Sequence, residues 1–249
     1  MVILECPYDL WQDSQVQKLF CKMVKLKLKG YQKEYPYGVL PIDTTDFIAT
    51  HHFLYSSNSE KTPIWETAEP LLAFKTISLS RCTKHNLPFP AQSILKAAQG
   101  TDLHLLKLYE ILDMCKLENI DLSFGSGWTI DPLVRENREL TKKLKELMIG
   151  VLINYYLETQ TLKQLCFGVP RFKTDLFFQK LGYQNLSFGM QSLPPFPHQP
   201  LLGESVTILF CDHFSSYALE LANASKNIWD EKMVLGEIKT SPQLYKEAA

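Results

Sequence analysis

Residues 128–183 constrain this chain most, because two short apolar segments there bracket a long amphipathic helix. Leu140, Leu144, Leu147, Met148, Val151, Leu152 and Tyr155 recur at steps of 4, 3, 1, 3, 1 and 3. That spacing lays a continuous apolar stripe along a helix, and such a stripe has to be buried. Residues 120–130 before it and 162–169 after it are short and largely apolar, and read as strands. Gly125 and Gly127 in the first suggest a bulge or a close backbone approach. A second helical pattern of Phe172, Leu176, Phe177 and Leu181 follows Pro170 and stops at Gly182. Strand, polar turn, helix, strand and helix in succession point to an α/β sheet with helices packed on it.

The rest of the chain extends this pattern. Residues 9–35 read as a helix with Leu19, Phe20, Met23, Val24 and Leu28 on its apolar side and Lys18, Lys22, Lys25, Lys27 and Lys29 between them. The basic face is read as solvated, with an acidic partner as the alternative. Gly30 and the Pro36-Tyr37-Gly38 turn are expected to end this helix. Residues 39–55 look like strand material around a break, one piece ending in Asp43-Thr44-Thr45-Asp46 and the next running from Phe47 to Tyr55, closed by Ser56-Ser57-Asn58-Ser59. Residues 71–82 form another strand candidate. Residues 91–118 are helical in two pieces broken at Gly100, the second capped by Thr101 or Asp102. Residues 193–200 hold four prolines and read as a loop, 206–211 as a strand and 217–233 as a last helix. The expected fold is a mixed, mostly antiparallel twisted sheet flanked by helices, in one domain over residues 1–249.

Composition narrows the function classes. A net charge of −1 over 249 residues argues against general nucleic-acid binding, which needs a basic excess. The six cysteines show no CxxC and no repeated spacing, so buried thiols in a reducing compartment are expected rather than disulfides or a zinc site. The N-terminus lacks the basic start and apolar run of a signal peptide. No run approaches the roughly 18 apolar residues of a membrane span. A cytoplasmic protein with no stable membrane insertion is the expectation. Neither G-x-x-x-x-G-K-[ST] nor G-x-G-x-x-G occurs, Gly125-Ser126-Gly127 does not complete G-x-S-x-G, and no metal is called for.

The turn ahead of the long helix carries the first chemistry. A helix start offers unpaired N–H groups and the positive end of its dipole, a natural place for phosphate. Arg135, Asn137, Arg138, Lys142 and Lys143 surround it, and guanidinium groups can hold phosphate bidentately. Surface pairing with Glu136, Glu139 and Glu146 is the alternative.

The order of elements from Trp128 to Tyr183 resembles the GCN5-related N-acyltransferase core. In that family a strand ends at a phosphate-binding turn before a helix, the next strand splays away to admit a pantetheine arm, and a further helix ends in F/Y-x-K-L-G-F/Y. Phe178-Gln179-Lys180-Leu181-Gly182-Tyr183 resembles that last motif. The family's Q/R-x-x-G-x-G/A turn aligns with Arg135-Glu136-Asn137-Arg138-Glu139-Leu140, which keeps the arginine and has Arg138 and Leu140 where glycine and a small residue stand. Phe178 occupies the place of a tyrosine general acid, so that role does not transfer and Phe178 is expected beside the substrate. Asp43-Thr44-Thr45-Asp46 after a basic helix is similar to the D-x-x-D segment of acyl-homoserine-lactone synthases and long-chain N-acyl amino acid synthases. The Glu and Arg of the autoinducer synthases have no match in residues 123–129.

The resemblance implies an acyl-CoA or acyl carrier protein thioester as donor, bound by Arg135, Asn137, Arg138 and Lys142 with pantetheine passing Gly168. It implies a small-molecule amine such as an amino acid as acceptor. N-acyl transfer needs a neutral amine, a polarised carbonyl and a proton for the thiol. Asp43 and Asp46 could bind or deprotonate a cationic amine, or be turn and cap residues. His51 and His52 are candidate bases that a regular strand would point to opposite faces. Lys75 and Arg81 could hold a substrate carboxylate. A non-catalytic acyl-thioester or acyl-lipid binding module on the same fold is the alternative function.

Overall fold

The computed structural model describes residues 1–35, 38–39, 42–56, 66 and 68–240. It is a mixed α/β fold with a mostly antiparallel sheet flanked by helices, as the residue pattern predicts. The strands in chain order are β1 (Val2–Glu5), β2 (Thr50–Leu54), β3 (Leu72–Ser78), β4 (Leu122–Ile130), β5 (Lys163–Gly168), β6 (Gln184–Asn185) and β7 (Ser187–Phe188). They continue as β8 (Gln191–Ser192), β9 (Phe196–His198), β10 (Glu204–Cys211) and β11 (Met233–Leu235). Among the described residues no helix is long and apolar enough to cross a membrane.

The chain clusters into two compact units. The first comprises residues 1–76, 127–154 and 220–238. In it β1 lies between β2, antiparallel, and β11, parallel, and β2 pairs antiparallel with β3. The helix α1 (Ser14–Glu34) begins where the Asp13 carboxylate accepts from the Gln15 N–H. Val16, Leu19, Phe20, Met23 and Leu26 of α1 pack on Val2, Leu4, Phe53 and Ala73 to form the core. The second unit comprises residues 77–126, 155–219 and 239–249. Here β4 and β5 run parallel, and β10 pairs antiparallel with β5, with β6 and, at its start, with β9.

Several expectations are corrected. Gly30 does not end α1 but lies inside it, where a Cβ would press on the Thr129 methyl and approach the Arg135 guanidinium. It permits close packing rather than termination. Residues 71–82 are a strand only to Ser78, whose hydroxyl accepts from the Arg81 N–H and starts a helix, Leu79–Lys84. Arg81 is therefore a helical residue. Thr101 stands at the N-cap of the helix Asp102–Glu118 without a side-chain cap bond; its hydroxyl donates to the Leu95 carbonyl instead. The proline-rich 193–200 segment contains β9, and residues 217–233 form two helices, Ser216–Ala224 and Lys226–Asp230, before β11. Of the expected turns, Pro36, Tyr37 and residues 57–59 lie outside the described residues, as do Leu40 and Pro41 of the expected strand.

Candidate functional site

A buried charge cluster in the first unit is built from three separate pieces of chain. Asp43-Thr44-Thr45-Asp46 is no strand: it is a capping box opening a short 3-10 turn, Thr44–Phe47. Asp43 Oδ1 accepts from the Thr45 N–H at 2.8 Å, and Asp46 Oδ2 accepts from the Asp43 N–H at 2.9 Å. The turn drives the Asp46 side chain inward, where it is wholly buried. There it meets Lys27 of α1 through Oδ1, and Lys75 of β3 through Oδ2 at 3.0 Å. Lys75 Nζ also reaches Thr45 Oγ1 at 3.0 Å and Asp43 Oδ1 at 3.2 Å. Lys27, Asp46 and Lys75 have side chains 1%, 0% and 5% exposed, whereas Asp43 is 62% exposed. Two cations and two anions balance only when Asp43 is counted.

Electrostatics follow from this enclosure. Burial by itself would push the Asp46 carboxyl up, but Lys27, Lys75 and then His51 outweigh it and hold it well below the usual carboxylate range. Burial pushes the Lys27 ammonium down to about 8; Asp46 pulls it back up and Lys75 pushes it further down. His51 is lowered to about 4 and His52 to about 3, both by burial first, so both imidazoles are neutral at pH 7. The His51 Nε2–H donates to the Asp46 carbonyl at 2.6 Å, and His52 Nε2 lies 3.2 Å from Thr76 Oγ1.

The sequence-derived candidates thus fall into distinct environments. Asp46, His51 and Lys75 come together inside the first unit, with Asp43 at its rim, whereas His52 is buried beside Thr76. None of the four buried groups has the solvent contact expected of a group that works directly on a free substrate. Arg135 belongs to a helical turn, Pro132–Arg135, and its guanidinium is 2.9 Å from Glu34. Asn137 caps the following helix, Arg138–Thr159, by accepting from the Leu140 N–H at 3.0 Å. That helix start is therefore closed by its own cap, and the expected open phosphate turn is helical. Arg138 and Lys142 project from its exposed first turn. In the second unit Arg81 is buried, and Phe178 packs edge-on against Tyr183 with centroids 5.1 Å apart. Gly168 is required there because a Cβ would fall on the backbone of Asp175.

Charge pattern alone does not set Lys27 apart from the other lysines of α1. Val16, Phe20, Met23, Lys27 and Gly30 follow one another at steps of 4, 3, 4 and 3 and are all buried, which puts Lys27 on the apolar seam. Lys18, Lys22, Lys25 and Lys29 repeat the same steps on the opposite side. Of the bulge or close backbone approach expected at Gly127, the structure shows the close approach, at a φ of +66° in the left-handed region. A Cβ there would lie 3.3 Å from both Cε and Nζ of Lys27. Comparison with family models, curated proteins and solved structures returned no match.

Proposed function

We propose that this chain is an N-acyltransferase that moves an acyl group from an acyl-CoA or acyl carrier protein thioester to the amine of a small molecule such as an amino acid. The observation that carries the reading is the pairing of β4 with β5. The parallel ladder runs from Leu122↔Lys163 to Gly125↔Cys166 and goes no further. Phe167 and Gly168 continue β5 on β10 alone. A strand edge released in this way offers backbone N–H and C=O groups to an extended ligand, and a pantetheine arm carries amide groups of that kind. Arg138, Lys142 and Lys143 are exposed cations at the start of the helix Arg138–Thr159; Lys142 lies 3.9 Å from Glu146, and Arg135 holds the Glu34 carboxylate.

The burial of Asp46, His51 and His52, with Phe178 packed on Tyr183, favours a second reading: a module that binds an acyl thioester or acyl lipid without turning it over. One experiment separates them. The purified chain is incubated with a panel of acyl-CoAs, acylated carrier protein and mixed amino acids, and products and retained ligands are read by mass spectrometry. An acylated amine supports the enzyme. A retained thioester without product supports the binding module. Neither product nor retained thioester overturns both, and retention unaltered in Arg138→Ala/Lys142→Ala overturns the role of those two residues in holding the donor.

A further inference from the structure

The thiolate that leaves in acyl transfer needs a proton, and Phe178, where a tyrosine acid would stand, cannot supply it. The neighbouring Tyr183 hydroxyl is buried and already donates to Gln164 Oε1 at 2.9 Å. The released part of β5 has a different neighbour. Phe167, the first β5 residue beyond the ladder with β4, is half-buried and lies edge-on to His198, with ring centroids 5.8 Å apart. His198 ends β9 opposite Glu204 of β10, and its carbonyl accepts from the Gly203 N–H at 3.1 Å, which closes the hairpin loop behind it. The imidazole is half-buried too, so solvent reaches it. Its Nδ1 is enclosed and has no hydrogen-bond partner; Nε2 has none either among the described residues and is the nitrogen on the open side.

We propose that His198 is the proton carrier of acyl transfer, moving a proton from the attacking amine to the departing sulfur beside Phe167. The inference rests on the acyltransferase reading. An extended donor on the released edge of β5 runs past Phe167, and the imidazole packed on that ring overlooks the same stretch of strand. The acceptor attacks as R–NH2, its lone pair forming the N–C bond while the C=O electron pair of the thioester moves to oxygen. The Nε2 lone pair of His198 takes one proton from the nitrogen. On collapse the oxygen pair re-forms C=O, the C–S bond breaks, and its electrons leave with sulfur. The imidazolium gives its proton to that sulfur. One amine and one thioester become one amide and one thiol, and the imidazole is restored.

The surroundings leave this imidazole uncommitted. Glu204, its cross-strand neighbour, is taken by Arg171, whose Nε and Nη2 lie 2.8 and 2.7 Å from Oε2. Phe167 and the adjoining Phe196 ring bring no charge. His104, which meets Phe196 edge-on, donates from Nε2 to the Pro194 carbonyl at 2.9 Å. A histidine kept for structure spends a nitrogen in that way, as His51 also does on the Asp46 carbonyl. His198 spends neither, so no partner fixes its tautomer and Nε2 can present its lone pair. Burial pushes the imidazole down to about 4. It is therefore neutral wherever the acceptor has free amine, and an imidazolium formed in the reaction passes its proton on to a thiolate.

The test uses the intact chain with octanoyl-CoA and S-(p-nitrophenyl) thiooctanoate as donors and glycine and n-butylamine as acceptors. His198→Gln is expected to lower kcat with octanoyl-CoA by about 100- to 1,000-fold at an unchanged KM for the donor. With the nitrophenyl thioester, whose thiolate leaves without a proton, the loss should stay below about 10-fold. Equal losses with both donors, or a His198→Gln rate within about threefold of wild type, overturn the role and leave the acyltransferase reading standing. If wild type does not use the nitrophenyl thioester, added imidazole decides: it should restore part of the octanoyl-CoA rate to His198→Ala, and no rescue overturns the role. No transfer by wild type to either amine, from these donors or from acylated carrier protein, sinks both readings. If neither variant folds, ¹⁵N NMR of wild type decides. A His198 Nε2 signal that shifts on adding octanoyl-CoA upholds the role, and one that does not move overturns it.

Discussion

Removing the Asp46 charge should be the most damaging conservative change in the first unit. Asp46→Asn keeps the shape of the side chain but leaves Lys27 and Lys75 facing each other in the interior. At the observed 3.0 Å from Lys75, one such attraction is worth about 5.5 kcal/mol at an effective dielectric of roughly 20. Part of that only offsets desolvation. Breaking a buried pair by deleting one partner costs about 3–5 kcal/mol, because an uncompensated charge is left behind. Lys27→Met differs in kind: it removes one of two buried cations, fills a similar volume and leaves Asp46 paired with Lys75. Its cost should be about 1–2 kcal/mol or less. The double variant should be more stable than Asp46→Asn alone, since it takes away one of the stranded charges. Urea denaturation of the three variants measures all of this. An Asp46→Asn cost below about 1 kcal/mol, or equal costs for the two single changes, would refute the account of a charge-balanced interior.

Three further outcomes follow from the same geometry. Lys27 is lowered from 10.5 to about 8 in the folded chain, so between those values the unfolded chain binds more protons and stability from this group rises with pH. Wild type should gain roughly 3 kcal/mol relative to Lys27→Met across that window, measured by denaturation at fixed pH values. His51 and His52, lowered to about 4 and 3, act in the acid range. The unfolded chain takes up their protons first, so stability should fall as pH drops from 6.5 towards 3, and His52→Asn should flatten that slope in acid titrations followed by circular dichroism. Gly30→Ala would stabilise an ordinary helix interior by up to about 1 kcal/mol; here the new methyl meets Thr129, so thermal unfolding should show a loss of about 1–3 kcal/mol instead.

Much of the architecture was legible in residue spacing. The stripe from Leu144 to Tyr155, the apolar runs that became β4, β5 and β10, and the Gly182 stop all follow from periodicity and turn chemistry, whereas Leu140, expected at the head of the stripe, is exposed. The short β1 was not legible, because four buried residues carry no period, and its place between β2 and β11 is decided by partners distant in sequence. Nor was the 3-10 turn at residues 44–47. Asp43 and Asp46 read equally well as a reactive pair or a cap, and only the packed chain makes them a cap with one carboxylate turned inward.

What the sequence determined by itself is local: which segments can be helix or strand, which face of each is apolar, and that Asp43 and Asp46 stand three apart at a bend. Even the burial of Lys27 is implicit in its 4-3-4-3 seam. What only the tertiary structure decided is which charges share one enclosure. Lys27, Asp46, Lys75 and Gly127 lie on separate elements up to 100 residues apart. Burial removes the water that would otherwise screen their charges, so their ionisation is set by one another. No spacing along the chain encodes that, because the dielectric around a side chain is a property of everything packed against it.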